Sequence, residues 1–265
     1  MFWVGFEGYM DLKQAPSNAY EIQVRAFQWG WEFEYPNGAK DTNLHVPAET
    51  PVKLIMTSSD VLHSLFIPAF RVKQDIVPGR YTSLWFESLS LEDIDAGVRE
   101  QARTLEDKGW VELNLFCTEY CGTDHSNMNR IVYVYTPEDF QAKIDELAEF
   151  MDNDAIPLWE KGQRVYGGAC SSCHLVEEGA VKIGPSFYNL SRSIRESETI
   201  EFVDAEDAPL VPDENYIRES ILYPAEKVRK DFPNQMNSFL GNIDDREIEA
   251  LIAYIKWLST NEAAN

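Results

Sequence analysis

The chain predicts two domains, an all-β sandwich or Greek-key barrel followed by a short all-α domain. Three observations predict this. From about residue 20 to residue 136, short runs rich in β-branched and aromatic residues are separated by turn signals. After Pro137 the apolar residues recur at helical spacing instead. The only 4 cysteines form two close pairs, Cys117/Cys121 and Cys170/Cys173, one pair in each part.

The strands come first in the chain. Glu21–Phe27 and Val52–Met56 alternate in character, and Tyr81–Phe86, Trp110–Phe116 and Ile131–Tyr135 are rich in Val, Ile, Tyr, Phe and Trp. Pro36-Asn-Gly, Pro47 and Pro78-Gly79 supply turns between them. Several short strands spaced in this way indicate a sandwich. Leu89–Lys108 breaks the pattern: Leu91, Ile94, Val98 and Ala102 sit at helical spacing among many charges, a solvated helical insertion. Beyond Pro137, Glu138–Met151 places Phe140, Ile144, Leu147 and Ala148 on one face of an amphipathic helix. Further helices are expected over Leu158–Tyr166, Glu214–Leu222 and Asp244–Leu258, with a loop over Thr199–Pro212. The expected divisions are therefore an apolar, membrane-proximal segment (1–19), the β domain (20–136), a helix and linker (137–157) and the helical domain (158–265).

Composition narrows the function classes. At 265 residues and 44% hydrophobic, the chain can bury two ordinary cores. A net charge of -22 repels phosphate and argues against nucleic acid as a partner, while attracting basic proteins. No stretch free of Asp, Glu, Lys and Arg approaches the roughly 20 residues that cross a bilayer. The opening Met1-Phe-Trp-Val-Gly-Phe6 is apolar, and its Trp and Phe suit a membrane–water boundary. It reads as the tail of an anchor or as a hydrophobic N-terminus packed on the fold.

The first chemical constellation is Cys117-Thr-Glu-Tyr-Cys121-Gly-Thr-Asp-His125-Ser-Asn-Met128, directly after a predicted strand. Soft sulfur ligands with imidazole select copper or zinc over oxygen-loving ions. On residue types alone, two other readings stand: a Cys117–Cys121 disulfide, and a tetrahedral zinc site completed by His63. Zinc leaves Met128 without a role and lacks the usual C-x₂-C spacing. Over about Tyr20–Tyr135 the sequence resembles the second subunit of cytochrome c oxidase. Its copper loop, C-x-E-x-C-G-x-x-H-x-x-M, is filled at every position here. Asp60-Val-Leu-His63-Ser-Leu-Phe-Ile-Pro, Phe70-Arg-Val-Lys-Gln-Asp-Ile-Val-Pro-Gly-Arg80 and the aromatic run Gln28-Trp29-Gly-Trp31-Glu-Phe-Glu-Tyr35 are similar to that family's segments. The resemblance implies a cupredoxin-like Greek-key sandwich holding a dinuclear copper centre (CuA). Cys117 and Cys121 would bridge two coppers, one completed by His63 and Met128, the other by His125 and the backbone carbonyl of Glu119. It also implies that the Glu119 side chain faces a magnesium ion shared with the catalytic subunit, and that the electron comes in by way of Trp29. Gly30, where the family commonly has an aromatic, and the Leu89–Lys108 insertion depart from the pattern.

The second constellation, Cys170-Ser-Ser-Cys173-His174, is the C-x-x-C-H motif of covalent haem attachment. A redox dithiol or half a zinc site is the competing reading, but no second C-x-x-C follows. Met236 is the only methionine after His174 and the candidate sixth ligand to the haem iron. A thioether there raises the potential, which suits an electron carrier. Residues Leu158–Leu258 resemble class I cytochromes c. Cys170 and Cys173 would bind the haem, His174 and Met236 would be axial, and the carbonyl of Pro185, in Ile183-Gly-Pro185, would accept the histidine Nδ1–H. Gly162, Tyr166 and Cys170 lie on one helix face, opposite Leu251 and Tyr254 on the last helix. His45 is assigned no role.

Together the two parts resemble a terminal-oxidase subunit II with a fused cytochrome c. The resemblance implies one-electron transfer from an external donor (cytochrome c or another redox protein) to one haem c, to CuA, and on to catalytic subunit I, where oxygen is reduced to water. The location implied is the outer face of the bacterial cytoplasmic membrane, with membrane association through an anchor or the complex. A copper-containing nitric oxide reductase and a free-standing soluble carrier are the alternatives.

Overall fold

A computed structural model describes residues 1–98, 109–204 and 208–260. The chain divides into two compact units, Met1–Glu149 and Phe150–Asn265.

Among the described residues the first unit is a sandwich of ten strands: β1 (Tyr20–Phe27), β2 (Gly30–Glu34), β3 (Lys40–Asp41), β4 (Leu44–Pro47), β5 (Pro51–Ser58), β6 (His63–Ile67), β7 (Val72–Ile76), β8 (Thr82–Glu87), β9 (Trp110–Cys117) and β10 (Asn129–Tyr135). One sheet runs β3-β2-β1-β5-β8 and the other β4-β10-β9-β6-β7. The β1/β5 and β4/β10 pairs are parallel and the rest antiparallel, as crossovers between the two sheets of a Greek-key, cupredoxin-like sandwich require. Alternate residues face inward, so Ile22, Val24, Leu54, Met56, Leu65, Leu113, Leu115 and Val132 fill the space between the sheets. The strands expected from composition are all present. β2, β3, β4, β6 and β7 are additional; β7 in particular is Val-Lys-Gln-Asp-Ile, too polar to stand out, and forms because it pairs with β6.

Among the described residues, three α-helices accompany the sandwich. In α1 (Phe2–Lys13), Phe2, Trp3, Val4, Phe6, Tyr9 and Leu12 are exposed. Its ties to the sandwich are polar: Trp85 Nε1 donates to Asp11 O at 3.1 Å and Lys13 Nζ to Gln74 at 3.3 Å. Of the two readings of the N-terminus, burial of its apolar side chains is therefore not what is found. α2 (Leu91–Val98) begins the expected helical insertion, whose residues 99–108 lie outside the described residues. α3 (Pro137–Glu149) buries Phe140, Ile144 and Leu147. Phe140 meets the Tyr20 ring edge-on at 5.1 Å, and Asn37 Nδ2 donates to Ile144 O at 3.1 Å. Its apolar face is thus covered by the sandwich.

The second unit is helical, with α4 (Leu158–Val165), α5 (Phe187–Glu196), α6 (Glu214–Leu222) and α7 (Asp245–Leu258). α7 starts with a full capping box, the Asp244 side chain accepting from Glu247 N–H while the Glu247 carboxylate accepts from Asp244 N–H. α5 is not among the helices expected from the sequence, although Phe187, Leu190 and Ile194 recur at helical spacing and turn one face to the core. It is started by Ser186, whose hydroxyl accepts from the N–H groups of Tyr188 and Asn189. The expected loop Thr199–Pro212 carries isolated bridges, Ile200 to Leu210 and Phe202 to Arg229. The unit's first residues are fastened by cations of α4 and α7: Arg164 over the Phe150 ring, buried Lys161 to Met151 O at 2.8 Å, and Arg246 to Asp152.

The helix pairing read from the sequence is present. α4 crosses α7 at Gly162, where a methyl group would lie 1.9 Å from Ala250 O and 2.8 Å from Tyr254 Cβ. On either side, Trp159 stacks on Trp257 at 4.3 Å and Tyr166 meets Tyr254 at 5.5 Å. Burial raises the phenols of Tyr216 and Tyr254, and takes Tyr166 to about 12. A phenol raised in the folded state contributes stability below its unfolded value of 10.0, and that contribution is lost as pH rises through the folded value. Denaturant midpoints for this unit should therefore hold up to about pH 10 and fall steeply by pH 12. Equal midpoints at both ends of that window would contradict the burial of these rings.

Candidate metal centre and haem site

The copper-loop cysteines sit where two strand pairings converge. β6 pairs with β9 through Leu65–Cys117, and Thr118 N–H donates to Ser64 O at 2.9 Å, so His63 arrives beside Cys117. β9 and β10 form a hairpin, and the connection between them carries Glu119, Cys121 and His125 back to Met128, whose carbonyl accepts from Cys117 N–H at 3.3 Å. Gly122, at φ 120°, allows the turn; a methyl there would lie 3.0 Å from both Gln28 Nε2 and the Trp29 ring.

The expected donors gather around the two sulfurs. Cys117 Sγ and Cys121 Sγ are 3.9 Å apart, both as free thiols. His63 Nδ1 lies 3.9 Å from Cys117 Sγ, and the carbonyl oxygen of Glu119 3.3 Å from the same sulfur. His125 Nδ1 lies 3.4 Å and Met128 Sδ 3.7 Å from Cys121 Sγ. His63 and Met128 are fully buried. Among the described residues, His63, Cys117 and Cys121 form the cluster whose ligand atoms all lie within 4.8 Å of one another. Sulfurs at this separation can share metal ions held about 2.3 Å from each. Two thiols, two imidazoles, a thioether and a carbonyl fit a soft, thiolate-loving ion.

The protonation of the site follows from its charges. Burial pushes the Cys117 thiol up, but hydrogen bonding to His63 and the backbone at Ser64 and Glu119 outweighs it and brings the group to about 7. Burial, then the charge of Cys117, drives Cys121 up to about 12. One thiol therefore gives up its proton readily and the second resists; a bound cation is what removes both.

Two groups absent from the sequence reading complete the surroundings. Asp60 Oδ1 takes the Nε2–H of His63 at 2.8 Å, which leaves Nδ1 toward the sulfurs. Gln28 Nε2 and Trp29 Nε1 both donate to the carbonyl of Cys121, at 2.7 and 3.2 Å. The D-x-x-H spacing was a signal for Asp60. Nothing local pointed to Gln28, which meets the loop from another sheet. Trp31 Nε1 donates to Met128 O at 3.3 Å, and Trp29 is itself buried. Gly30 fits closely against the Phe27 ring, 2.8 Å from an added methyl, which explains why no aromatic stands there. His45, without assigned role, is buried in edge strand β4, its ring stacked on Tyr133 and its Nδ1 3.0 Å from the Tyr135 hydroxyl.

In the helical unit, α4 runs on through a wider turn, Tyr166–Cys170, into the Cys170–His174 segment. The N–H groups of Cys173 and His174 both donate to Cys170 O, at 3.0 and 2.9 Å, which puts the three residues on one tight turn. Neither Cys170 nor Cys173 is in a disulfide, and burial raises Cys170 to about 12. His174 is buried, its Nδ1–H directed to Pro185 O at 2.8 Å, so Nε2 is the nitrogen left to bind. Burial lowers its pKa and keeps it neutral, as a metal ligand must be. Gly184 lies against this ring: an added methyl would stand 2.4 Å from His174 Cε1. Such a cradle, two thiols and an oriented imidazole fit a covalently held haem. Met236 lies half-buried in the connection between α6 and α7. That connection is tied to the end of α6 by Phe239 N–H to Ile221 O and Ser238 Oγ to Leu222 O.

Comparison with known proteins bears on both units. Residues 38–93 match the family model for the periplasmic domain of cytochrome c oxidase subunit II, and residues 159–259 match that for cytochrome c. Cytochrome c oxidase subunit 2 of Synechocystis sp. is 30% identical over 132 residues, 49% of this chain and 34% of that protein. The subunit 2 of Alkalihalophilus pseudofirmus is 24% identical over 248 residues, 92% of this chain and 63% of the relative. The chain thus spans less than two thirds of either. A crystal structure of the periplasmic domain of cytochrome oxidase subunit II of Bradyrhizobium japonicum is 22% identical, covering 52% of this chain and 99% of that one at a TM-score of 0.43. The family implies copper in the first unit and haem in the second. The chain is thus similar to cytochrome c oxidase subunit II in its first unit and to cytochrome c in its second.

Proposed function

We propose that the chain is the electron-transfer subunit of a terminal respiratory oxidase. It takes electrons from an external donor at haem c, passes them to a dinuclear CuA centre, and delivers them to catalytic subunit I, which reduces oxygen to water. The observation that carries the reading is the convergence of His63, Cys117, Glu119 O, Cys121, His125 and Met128 on one buried pair of sulfurs. Bound there, copper and haem supply one-electron redox chemistry. The protein holds the ligands still. His63 is fixed by Asp60, the Cys121 turn by Gln28 and Trp29, and His174 by Pro185, so a change of one electron meets a rigid cage.

Trp29, which joins the sandwich to the Cys121 carbonyl, is the residue by which the electron reaches the copper side. In the second unit, Cys170 and Cys173 would hold the haem covalently, and His174 and Met236 would bind its iron. The Glu119 side chain would contribute to a magnesium site shared with the catalytic subunit. The site lies on the outer face of the bacterial cytoplasmic membrane, and the exposed Phe2, Trp3 and Phe6 of α1 suit that boundary.

Metal and haem analysis of chain matured with copper, zinc and haem all available tests the reading. About two coppers with a mixed-valence EPR signal, and one haem that acid acetone does not extract, are expected. One zinc in place of copper refutes it. In the same protein Met236→Ala should open the sixth haem position and lower the potential. A low-spin spectrum and potential left unchanged would assign that position to another residue.

A further inference from the structure

We propose that Asp60 and Gln28 form one hydrogen-bonded bracket that positions the copper ligands, and that neither touches the metal. The inference rests on the copper reading above. Asp60 Oδ1 accepts from His63 Nε2 at 2.8 Å and from Val61 N–H at 2.7 Å, while Oδ2 accepts from Gln28 N–H at 2.7 Å. Only an ionised carboxylate can accept all three, because an asparagine must turn its NH₂ toward one of the donors. Gln28 then carries the chain onward, its side chain donating to Cys121 O at 2.7 Å beside the indole of Trp29.

The bonds run without a gap from His63 through Asp60 and Gln28 to Cys121. Their two ends are ligands separated by nearly sixty positions in the chain, and they meet again across the Cys117 sulfur, 3.9 Å from each. Two strand-end segments that share no sheet pairing with the loop thereby set both the ring orientation of His63 and the turn at Cys121. An imidazole without Asp60 can offer either nitrogen; with it, Nδ1 is the one presented. The bracket prepares the cage before metal arrives. Losing an outer partner of this kind costs roughly 10–100-fold in metal affinity.

The test uses the whole chain as wild type, Asp60→Asn and Gln28→Ala, with copper affinity read by chelator competition, copper hyperfine structure by EPR, and folding by circular dichroism. Each variant should still take two coppers at saturation, with affinity lowered about 10–100-fold and an altered hyperfine pattern. In metal-free protein, ¹⁵N NMR should find His63 in its Nε2–H form in the wild type and in mixed forms in Asp60→Asn. Wild-type affinity and hyperfine structure in both variants overturn the bracket. Should Asp60→Asn not fold, Gln28→Ala decides alone: it leaves the half-buried Asp60 carboxylate in place, and unchanged affinity overturns the proposal. A wild-type chain that takes up no copper pair fails the copper reading instead, a result told apart because the His63 tautomer is read without metal.

Discussion

Gly162→Val is expected to unfold the second unit at temperatures where the first remains folded. α4 and α7 touch backbone to backbone at this position. A Cβ would stand 1.9 Å from Ala250 O and 2.5 Å from Ala250 C, and neither is the free end of a side chain that could step aside. The helices must separate, and the contacts flanking the crossing separate with them: Trp159 on Trp257 at 4.3 Å and Tyr166 on Tyr254 at 5.5 Å. Overpacking a core typically costs about 1–3 kcal/mol, and a clash with main chain belongs at the top of that range or above it. For a unit of this size about 3 kcal/mol lowers Tm by on the order of 10–20 °C.

The loss should also be confined. Gly162 lies in the unit beginning at Phe150, while the copper-site residues lie in the other. Calorimetry should thus show the wild-type chain's transitions move apart, one falling and one staying, as separate domains allow. Gly162→Ala should show the same effect in milder form, since it adds the clashing atom without the branches. A Gly162→Val chain with unchanged Tm would mean that the two helices do not cross here.

The α4–α7 crossing was legible in the sequence because its parts are local: a glycine and aromatics at intervals of three and four on helices of ordinary composition. The copper loop was legible for the same reason, with Cys117 to Met128 on one short connection and a hydrophobic strand in front of it. His63 was a candidate by residue type, but nothing local ties it to Cys117. What joins them is the β6–β9 register, a long-range fact. The missed elements have more than one cause. β7 is too polar to announce a buried face and is held by β6. β2, β4 and β6 are short, β4 and β6 pair with distant strands, and α5 is fixed at its start by the Ser186 cap. Gln28 was missed because its hydrogen bonds, across 32 and 93 positions, leave no period in a sequence, whereas Asp60 left a local signal in its spacing to His63. The apolar N-terminus shows the converse. Its composition was plain, but composition does not tell whether a hydrophobic helix meets its own protein, and in α1 the apolar side chains face outward.

Cys121→Ser is expected to abolish the mixed-valence EPR signal and to lower copper content from about two per chain to one or none, with the sandwich still folded. The sulfur is what the site loses. Cys121 Sγ lies 3.4 Å from His125 Nδ1 and 3.7 Å from Met128 Sδ. A serine hydroxyl is a hard donor that holds its proton near neutrality, so it can neither bridge two soft ions nor spread an electron between them. The fold should tolerate the change, because Gln28 and Trp29 hold the carbonyl of residue 121 and not its side chain. Cys117 should behave alike in the EPR spectrum. Its thiol is the one brought to about 7 by the hydrogen bond to His63, against the pull of burial, so Cys117→Ser also removes the site's readily formed thiolate and should leave the weaker residual copper binding of the two. Copper analysis with EPR on both variants, beside circular dichroism to show folding, checks the expectation. A folded Cys121→Ser chain that keeps two coppers and the delocalised signal would show that this sulfur does not bridge them.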